Sequence, residues 1–263
     1  MDLGAQSGRR EVREMRIVVV GGTGHIGRQV VEHLQEQGHD AVAASPSTGV
    51  DVLTGAGLAD AFADADVVVD VSNPPSFDGP VVVDFFDRST ANQLAAEADA
   101  GVKHHVALSI VGVDRLVPSD TVGYLDGKVR QEQLIVAGPV PYTLVRATQF
   151  HEFIGMIADA SSRVDGVHLP HYLFQPVAAA DVAALVAETA MGEPRVEVEI
   201  AGATRAPMDE LIGEVLRARG DTRTVIRDDD AGYFGAHLAA DGLVPVADGA
   251  VIGSTAFAVP KRG

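Results

Sequence analysis

The sequence predicts an α/β fold in which helices cover both faces of a doubly wound parallel sheet. Short apolar runs alternate with amphipathic helical segments along the chain, which is typical of repeated βαβ units. The first apolar run ends in a glycine cluster, and the third, at 66–71, contains four valines in six residues. Such a run is typical of a parallel strand buried on both faces. A chain of 263 residues is long enough to bury a full core.

The predicted elements follow one another regularly from near residue 15. Strands are expected at 16–20, 40–44, 66–71, 105–109, 142–145, 172–175 and 196–200. Helices are expected at 24–37, 58–63, 84–100, 124–136, 150–158, 181–189 and 207–219. Gly38 and Gly101 stand directly after two of these helices, where glycine commonly ends a helix. Ligands of such a sheet bind beyond the carboxyl ends of the strands, so the loops after the first five strands should form the site.

One folded domain is expected over 15–263, because no repeat or Pro/Ser-rich linker divides it. Residues 1–14 are polar and charged and predict a flexible N-terminal extension. The segments 150–175 and 201–263 are expected to form a small C-terminal substrate lobe. The apolar tail residues, which include Tyr233 and Phe234, are expected to pack inside this lobe. The alternative is that they line an apolar substrate pocket.

Composition excludes several classes of function. The formal net charge of −17 disfavours nucleic acid and anionic membrane surfaces as partners. The absence of cysteine excludes disulfides, thiolate metal sites and cysteine nucleophiles. No apolar run approaches the roughly 18 residues of a membrane span, and the nine histidines lack carboxylates at metal-ligand spacing, so no metal is expected. We expect a cytoplasmic protein with a small-molecule substrate, and a homo-oligomer is compatible with the sequence.

The glycine cluster is the most informative motif. Gly22, Gly24 and Gly27 form G-x-G-x-x-G, and counting from Gly21 gives G-x-x-G-x-x-G. The motif lies between a strand and a helix, which is the context of a dinucleotide fingerprint rather than of a glycine turn used only for packing. Glycines let the backbone approach a pyrophosphate, and the helix N-terminus attracts its charge. The predicted cofactor-binding residues here are Gly21, Thr23, Gly24, His25, Ile26 and Gly27.

The loop after the second strand bears on which dinucleotide is bound. A carboxylate at this place binds the 2′-hydroxyl of NAD and repels the 2′-phosphate of NADP. Residues 43–48, A-A-S-P-S-T, contain no acid, and the hydroxyls of Ser45 and Ser47 are available for a phosphate. The segment also lacks arginine and has ordinary turn composition. We predict a preference for NADP(H) over NAD(H).

Tyr124 and Lys128 form a Y-x-x-x-K pair at the start of a predicted helix. Residues four apart share a helix face, so both side chains can reach one site. At about 4 Å and an effective dielectric constant near 20, the ammonium attracts a phenolate by roughly 4 kcal/mol. We therefore expect Lys128 to lower the pKa of Tyr124, which would serve as acid/base, and also to hold the nicotinamide ribose. The alternative is an exposed helix pair.

Further polar residues stand at strand ends. Ser109 ends the fourth strand and is predicted to bind a substrate carbonyl, or alternatively a local backbone group. Ser72 and Asn73 follow the third strand and are expected beside the adenosine ribose and pyrophosphate. Thr148 and Gln149 follow the fifth strand and are expected near the nicotinamide.

Several segments resemble the atypical short-chain dehydrogenase/reductase superfamily, close to its NmrA-like branch. The resemblance covers about 15–190. It rests on 21–27 (G-G-T-G-H-I-G), 105–109 (H-V-A-L-S), Tyr124 with Lys128, 141–150 (P-Y-T-L-V-R-A-T-Q-F) and 175–183 (Q-P-V-A-A-A-D-V-A). It implies a Rossmann-type domain with a small C-terminal substrate lobe and an NAD(P)(H) cofactor.

The resemblance also implies roles for individual residues. Gly21, Gly24, His25 and Ile26 would bind the pyrophosphate. Lys128 would hold the nicotinamide ribose, Tyr124 would be the acid/base, and Ser109 would orient the substrate. The separation of Ser109 from Tyr124 is slightly longer than in the simplest members, and the loop after the second strand lacks the basic residue of many NADP-binding members.

Together these observations predict an NAD(P)H-dependent oxidoreductase that reduces a small organic carbonyl, quinone or enone by hydride transfer. Some NmrA-like proteins only sense the cofactor, so a non-catalytic NAD(P)(H)-sensing regulator is one alternative. An NAD(P)-binding isomerase or lyase is another. The intact Tyr124 and Lys128 pair favours an enzyme, because a sensor needs no activated phenol.

Overall fold

A computed structural model describes residues 13–76, 78–116, 123–234 and 236–257. Its strands are β1 (Arg16–Val20), β2 (Asp40–Ala44), β3 (Val67–Asp70), β4 (His104–Ile110), β5 (Tyr142–Ala147), β6 (Ser162–Arg163), β7 (Gly166–Leu169), β8 (Leu173–Phe174), β9 (Val196–Ala201), β10 (Ala206–Pro207), β11 (Val225–Arg227) and β12 (Val251–Ile252). Its α-helices are α1 (His25–Glu36), α2 (Leu58–Phe62), α3 (Gly79–Ala100), α4 (Tyr124–Ala137), α5 (Ile154–Ala160), α6 (Ala179–Met191) and α7 (Met208–Ala218).

Seven strands form one central sheet in the order β12-β9-β5-β4-β3-β1-β2. Every neighbouring pair in it is parallel. The chain runs from β1 outward to β2 and then crosses back to β3, so the strand order reverses between β1 and β3. The predicted Rossmann-type, doubly wound α/β fold is confirmed.

The two faces of the sheet have separate apolar cores because side chains alternate along a strand. Ile17 and Val19 of β1 pack on the face covered by α1 and α6. Val18 and Val20 pack on the opposite face, with α2. All four side chains are buried, which explains why the strands read as continuous apolar runs.

A third apolar cluster lies beside the sheet. It joins α5 and α7 with the small β11-β7-β6 sheet and includes Leu169, Leu211 and Tyr233. These residues come from the segments predicted to form the substrate lobe. Val251–Ile252, however, extends the central sheet beside β9, so part of the tail belongs to the main layer. The limits of the lobe stay a prediction.

Some predicted boundaries differ from the observed ones. The helix predicted at 84–100 begins at Gly79, because Pro80 stands in its first turn, where its fixed φ favours a helix. The helix predicted at 150–158 consists of a 3-10 turn, His151–Phe153, followed by α5. Most of the predicted N-terminal extension lies outside the described residues. Within the described ranges, no helix combines the length and apolarity that a membrane crossing requires.

Glu97 of α3 and His105 of β4 form a fully buried pair, with 2.8 Å between Oε1 and Nδ1. The Glu97 carboxyl group raises the pKa of His105 against the opposing effect of burial. The pair ties α3 to β4 in the central sheet, where His105 lies beside Val68 of β3.

We expect Glu97→Ala to lower the free energy of unfolding by about 3–5 kcal/mol, because it leaves a buried imidazole unpaired. Urea denaturation followed by circular dichroism measures the change. Glu188→Ala, at an exposed position of α6, is the control and should change stability by less than about 0.5 kcal/mol. Equal losses in the two variants would contradict the assignment.

Candidate functional site

A cavity of about 680 Å³ opens at the carboxyl ends of β1 to β5. Almost all of the predicted site residues lie on its wall. They are Gly21, Thr23, Gly24, His25, Ile26, Gly27, Ser45, Ser72, Asn73, Ser109, Tyr124, Lys128, Thr148 and Gln149. Ser47 is the exception: it is exposed, and its hydroxyl donates to the Thr23 hydroxyl at 3.4 Å instead. Its role in cofactor binding stays a prediction.

The glycine loop is built for close backbone approach. Gly21 has φ +79°, and a Cβ there would lie 2.9 Å from the backbone nitrogen of Ser72. A Cβ at Gly27 would lie 2.2 Å from the Gly21 carbonyl oxygen. Gly24 has ordinary φ and meets only that same oxygen, at 3.1 Å. Gly21 and Gly27 thus serve packing, whereas Gly24 leaves room at the start of α1, whose amides have no side-chain cap among the described residues.

An acid lies on the wall beyond the second strand. Asp51 lines the cavity with Val52 and Leu53, because a short 3-10 turn at 46–48 and Gly49, at φ +88°, turn the chain back. The Asp51 carboxylate accepts a hydrogen bond from the Leu53 amide at 2.8 Å, which lowers its pKa. The sequence argument considered only residues 43–48 and missed this acid. The absence of an acid from 43–48 therefore no longer favours NADP(H).

Tyr124 and Lys128 line the cavity from the first turns of α4. The Tyr124 hydroxyl donates to Asn73 Oδ1 at 2.7 Å. The Lys128 ammonium donates to the Leu108 carbonyl oxygen at 2.7 Å and to the Gln131 amide oxygen. Burial raises the pKa of Tyr124, so the expected lowering of this pKa by Lys128 is wrong. The sequence pattern could not reveal that both side chains would be desolvated.

A buried carboxylate supports Lys128 from behind. Asp70, at the end of β3, is fully buried and accepts a hydrogen bond from the Gln131 side chain at 2.9 Å. Its other oxygen accepts from the Ser72 amide, also at 2.9 Å. Burial lowers the pKa of Lys128 to about 8, while attraction to Asp70 and Glu132 opposes the change. Sequence reasoning missed Asp70, although an acid inside a valine run was a visible signal.

Several polar atoms on the wall have no partner of their own. Within the described ranges, no hydrogen bond reaches the hydroxyls of Ser72 and Ser109 or the side-chain amide of Gln149, although these atoms are buried. An unsatisfied buried polar group costs about 1–3 kcal/mol, so a polar ligand at this wall would relieve that cost. The alternative role of Ser109, binding a local backbone group, is not seen. The glycine loop, the volume of the cavity and these unpartnered polar groups together fit a dinucleotide with a small second ligand.

The far end of the cavity is apolar. Its wall there is formed by Phe150, Phe153, Met156, Ile157, Tyr233 and Phe234. Among the described residues on the whole wall, the charged or ionisable ones besides tyrosines are His25, Asp51 and Lys128. The two roles predicted for the tail residues were packing inside the lobe and lining a pocket. Tyr233 has both, because it belongs to an apolar cluster and also lines the cavity.

Besides His105, two further histidines outside the cavity contact carboxylates that the sequence spacing did not reveal. His168 lies 2.9 Å from both Asp165 and Asp228, and His171 lies 2.8 Å from Asp209. These carboxylates come largely from distant parts of the chain, so spacing could not reveal them. In the described part of the protein, no group of three or more potential ligands is arranged to hold a metal ion.

Comparisons with known proteins agree with this geometry. The model of a family described as NAD(P)H-binding matches residues 21–194. The Photosystem II assembly factor Ycf39 of Synechocystis sp. is 28% identical over 159 residues, which are 55% of this chain and 48% of that protein. The chain thus spans about half the length of this curated relative.

Solved structures share the fold at low identity. A dTDP-4-dehydrorhamnose reductase from Clostridium acetobutylicum has a TM-score of 0.65 and 16% identity, covering 88% of this chain and 90% of its own. The triphenylmethane reductase of Citrobacter sp. in complex with NADP(H) has a TM-score of 0.59 and 19% identity, covering 81% and 78%. The Bordetella bronchiseptica enzyme WbmG, solved with NAD and UDP, has a TM-score of 0.63 and 17% identity, covering 85% and 84%.

Proposed function

The chain belongs to the NAD(P)H-binding family, and from this premise we propose that it reduces a small, uncharged organic carbonyl, quinone or enone. One observation carries the proposal: Tyr124, Lys128 and the unpartnered Ser109 hydroxyl line the same cavity as the glycine loop. A binding protein has no need of a phenol, an ammonium and a free hydroxyl grouped beside its nucleotide.

The cofactor is proposed to lie along the strand ends. The loop 21–27 and the open N-terminus of α1 hold its pyrophosphate, with Ser45, Ser72 and Asn73 on the adenosine side. Thr148, Gln149 and Lys128 hold the nicotinamide half, and the Asn73 side chain, hydrogen-bonded to Tyr124, marks where the two halves meet. When bound, the reduced nicotinamide supplies the hydride.

The protein supplies the proton and the orientation. Tyr124 keeps its proton at neutral pH because burial raises its pKa, which suits donation to a substrate oxygen better than abstraction from an alcohol. Without substrate, the phenol donates its one hydrogen to Asn73 Oδ1 at 2.7 Å, so this hydrogen must turn from Asn73 to the substrate oxygen when the substrate binds. Ser109 donates to the same substrate oxygen, and the Lys128 charge stabilises electron density that develops on it.

The wall of the apolar end supports an uncharged substrate. A sugar nucleotide carries a diphosphate, and the described residues of that end offer no arginine and no lysine besides Lys128 to receive it. A ring-containing carbonyl or quinone matches Phe150, Phe153 and Phe234. The triphenylmethane reductase of similar fold, whose name states an aromatic substrate, supports the same reading.

The test is NADPH or NADH oxidation with 1,4-naphthoquinone, menadione, cyclohexenone and cinnamaldehyde. We expect Tyr124→Phe to lower kcat by about 10²-fold or more, because it removes the proton donor. Tyr142→Phe, at a half-buried position of β5 that does not line the cavity, is the control and should keep wild-type turnover. Tight cofactor binding without turnover of any carbonyl would overturn the proposal.

A second candidate is a binding role without catalysis, in which NAD(P)(H) occupancy controls contact with a protein partner. The similarity to an assembly factor supports it. An isomerase or lyase is a third, supported by the fold shared with a UDP-glucose 4-epimerase of Thermus thermophilus. Unchanged cofactor binding together with no effect of Tyr124→Phe would favour the binding role.

The choice of dinucleotide is part of this proposal. Relatives of similar fold were crystallised with NAD or with NADP(H), and Asp51 on the wall weakens the argument for NADP(H). We keep NADP(H) as the proposed cofactor, to be checked by comparing Kd values for NADPH and NADH. A cytoplasmic location and a homo-oligomer stay predictions.

A further inference from the structure

Tyr233 is a second phenol at the apolar end of the cavity. It comes from the tail, more than a hundred residues after Tyr124, and 8% of its surface is exposed. It lines the main cavity and also a smaller one of about 230 Å³ behind it. Tyr124 and Tyr233 line the same cavity, and burial, followed by the neighbouring Tyr124, raises the pKa of Tyr233.

Among the residues that the structure describes, no hydrogen bond reaches the hydroxyl of Tyr233, which forms backbone hydrogen bonds only. By contrast, the half-buried Tyr124 donates to Asn73, and the buried Tyr172 accepts from the Leu238 amide at 3.2 Å. A buried phenol normally finds a partner. Because Tyr233 lines the cavity, its hydroxyl can be reached by a ligand there and is able to donate to it.

The backbone around Tyr233 is arranged to present this ring. Tyr233 and Ala236 exchange backbone hydrogen bonds of 2.7 and 3.0 Å, which close a tight turn. Within it Phe234 has φ +46°, a left-handed conformation that side-chain-bearing residues rarely adopt. Such conformations concentrate at functional sites, where surrounding contacts hold them.

The turn is anchored against the catalytic helix. A Cβ at Gly123, the residue before α4, would lie 2.6 Å from the Phe234 carbonyl oxygen. Glycine at 123 therefore allows the tail to approach the helix end that carries Tyr124. The rings of Tyr124 and Phe234 lie 6.5 Å apart, and those of Tyr233 and Phe234 lie 4.8 Å apart.

We propose that Tyr233 contacts the substrate directly and that its hydroxyl donates a hydrogen bond to an uncharged oxygen of the substrate, beside the proton donor Tyr124. The proposal rests on the proposed function and extends it to a second donor. The ligand class is then a carbonyl or quinone with its acceptor oxygen between two phenols. An anionic ligand would leave its charge against apolar walls, which disfavours it.

Tyr233→Phe removes only the hydroxyl, and Tyr172→Phe is its matched control in the same apolar cluster. For the panel compound with the highest turnover, we expect Tyr233→Phe to lower kcat/KM by about 10- to 10²-fold, with the Kd for NADPH unchanged. Tyr172→Phe should keep kcat/KM within about threefold of the wild-type value. Equal kcat/KM in Tyr233→Phe and wild type would overturn the proposal.

Stability should change in the opposite order. Tyr233→Phe loses no internal hydrogen bond, so its Tm should equal or exceed that of the wild type. Tyr172→Phe leaves the Leu238 amide without its partner and should lower Tm by about 2–4 °C. A fall in Tm for Tyr233→Phe as large as that for Tyr172→Phe would show that the hydroxyl serves the fold, and would also overturn the proposal.

A binding measurement separates this inference from the proposed reaction. Calorimetry of the protein saturated with NADP⁺ compares 1,4-naphthoquinone with naphthalene, which has the same rings and no oxygen. We expect the quinone to have a lower Kd than naphthalene. In Tyr233→Phe, the ratio of the two Kd values should be about tenfold smaller than in the wild type. If Tyr233→Phe has this effect on binding but no compound is turned over, the reductase proposal is wrong and the contact of Tyr233 with the ligand is still supported. Equal effects of Tyr233→Phe on both ligands would end the inference.

Discussion

Replacing Lys128 by methionine is expected to lower kcat by about 10²- to 10³-fold while the protein remains folded. Methionine fills a similar volume but removes the ammonium that donates to the Leu108 carbonyl and to Gln131. The developing charge on the substrate oxygen then has no cation near it. Steady-state NADPH oxidation measures the loss. Lys103→Met, which breaks only an exposed ion pair with Asp66, should leave kcat unchanged, and equal losses in both variants would exclude a special role for Lys128.

The same lysine gives a pH signature. Burial lowers the pKa of Lys128 to about 8 in the cofactor-free protein, so kcat/KM should fall as the pH rises through about 8. Between about pH 8 and its ordinary pKa of 10.5, the unfolded chain binds more protons than the folded chain. The free energy of unfolding therefore rises with pH over that window, by about 3 kcal/mol in total.

The Lys128→Met variant isolates this contribution. Subtracting its unfolding free energy from that of the wild type at each pH removes the effects of all other groups. The difference should be flat below about pH 8 and should rise above it. A difference that stays flat to pH 10.5 would show that the ammonium of Lys128 is not destabilised by burial.

Gly27→Ala is expected to lower the free energy of unfolding by about 3 kcal/mol or more. The added Cβ would lie 2.2 Å from the Gly21 carbonyl oxygen and 2.6 Å from the Gly22 Cα atom, and all of these atoms belong to backbone. The start of α1 must then move away from β1. Urea denaturation measures the cost.

Alanine substitutions at two other glycines serve as controls for Gly27→Ala. Gly24→Ala should leave stability nearly unchanged but weaken NADPH binding, because a Cβ there meets only one oxygen, at 3.1 Å, and stands at the cofactor wall. Gly213→Ala, inside α7 with no contact closer than 3.7 Å, should stabilise the protein by about 0.5–1 kcal/mol. An equally stable Gly27→Ala variant would contradict the packing role of this glycine.

The parts of the fold that could be predicted are those with local causes. Valine-rich runs, helix-ending glycines and the glycine loop each depend on neighbouring residues, and they located β1 to β5 along the chain. The start of α3 was missed because Pro80 is compatible with two structures: proline is common in loops, and it also suits the first turn of a helix. The surrounding sequence does not distinguish them.

The parts of the site that were missed depend on residues far apart in the chain. Asp51 reaches the wall only because a turn reverses the chain after β2. Asp70 supports Lys128 through a glutamine sixty-one positions later. The pKa of Tyr124 was predicted in the wrong direction because its sign depends on burial, and burial is a property of the packed protein. The motifs located the strand ends, but they did not identify the residues from distant parts of the chain that complete the cavity wall.

The anchoring of the tail turn at Gly123 has a consequence for how the protein is made. The wall residues up to Gln149 leave the ribosome before the turn at Tyr233 does. The residues of the nucleotide cradle and those that close the apolar end of the cavity are thus separate parts of the chain. Under the proposed function, changes confined to the turn at Tyr233 would alter the substrate without disturbing the cradle.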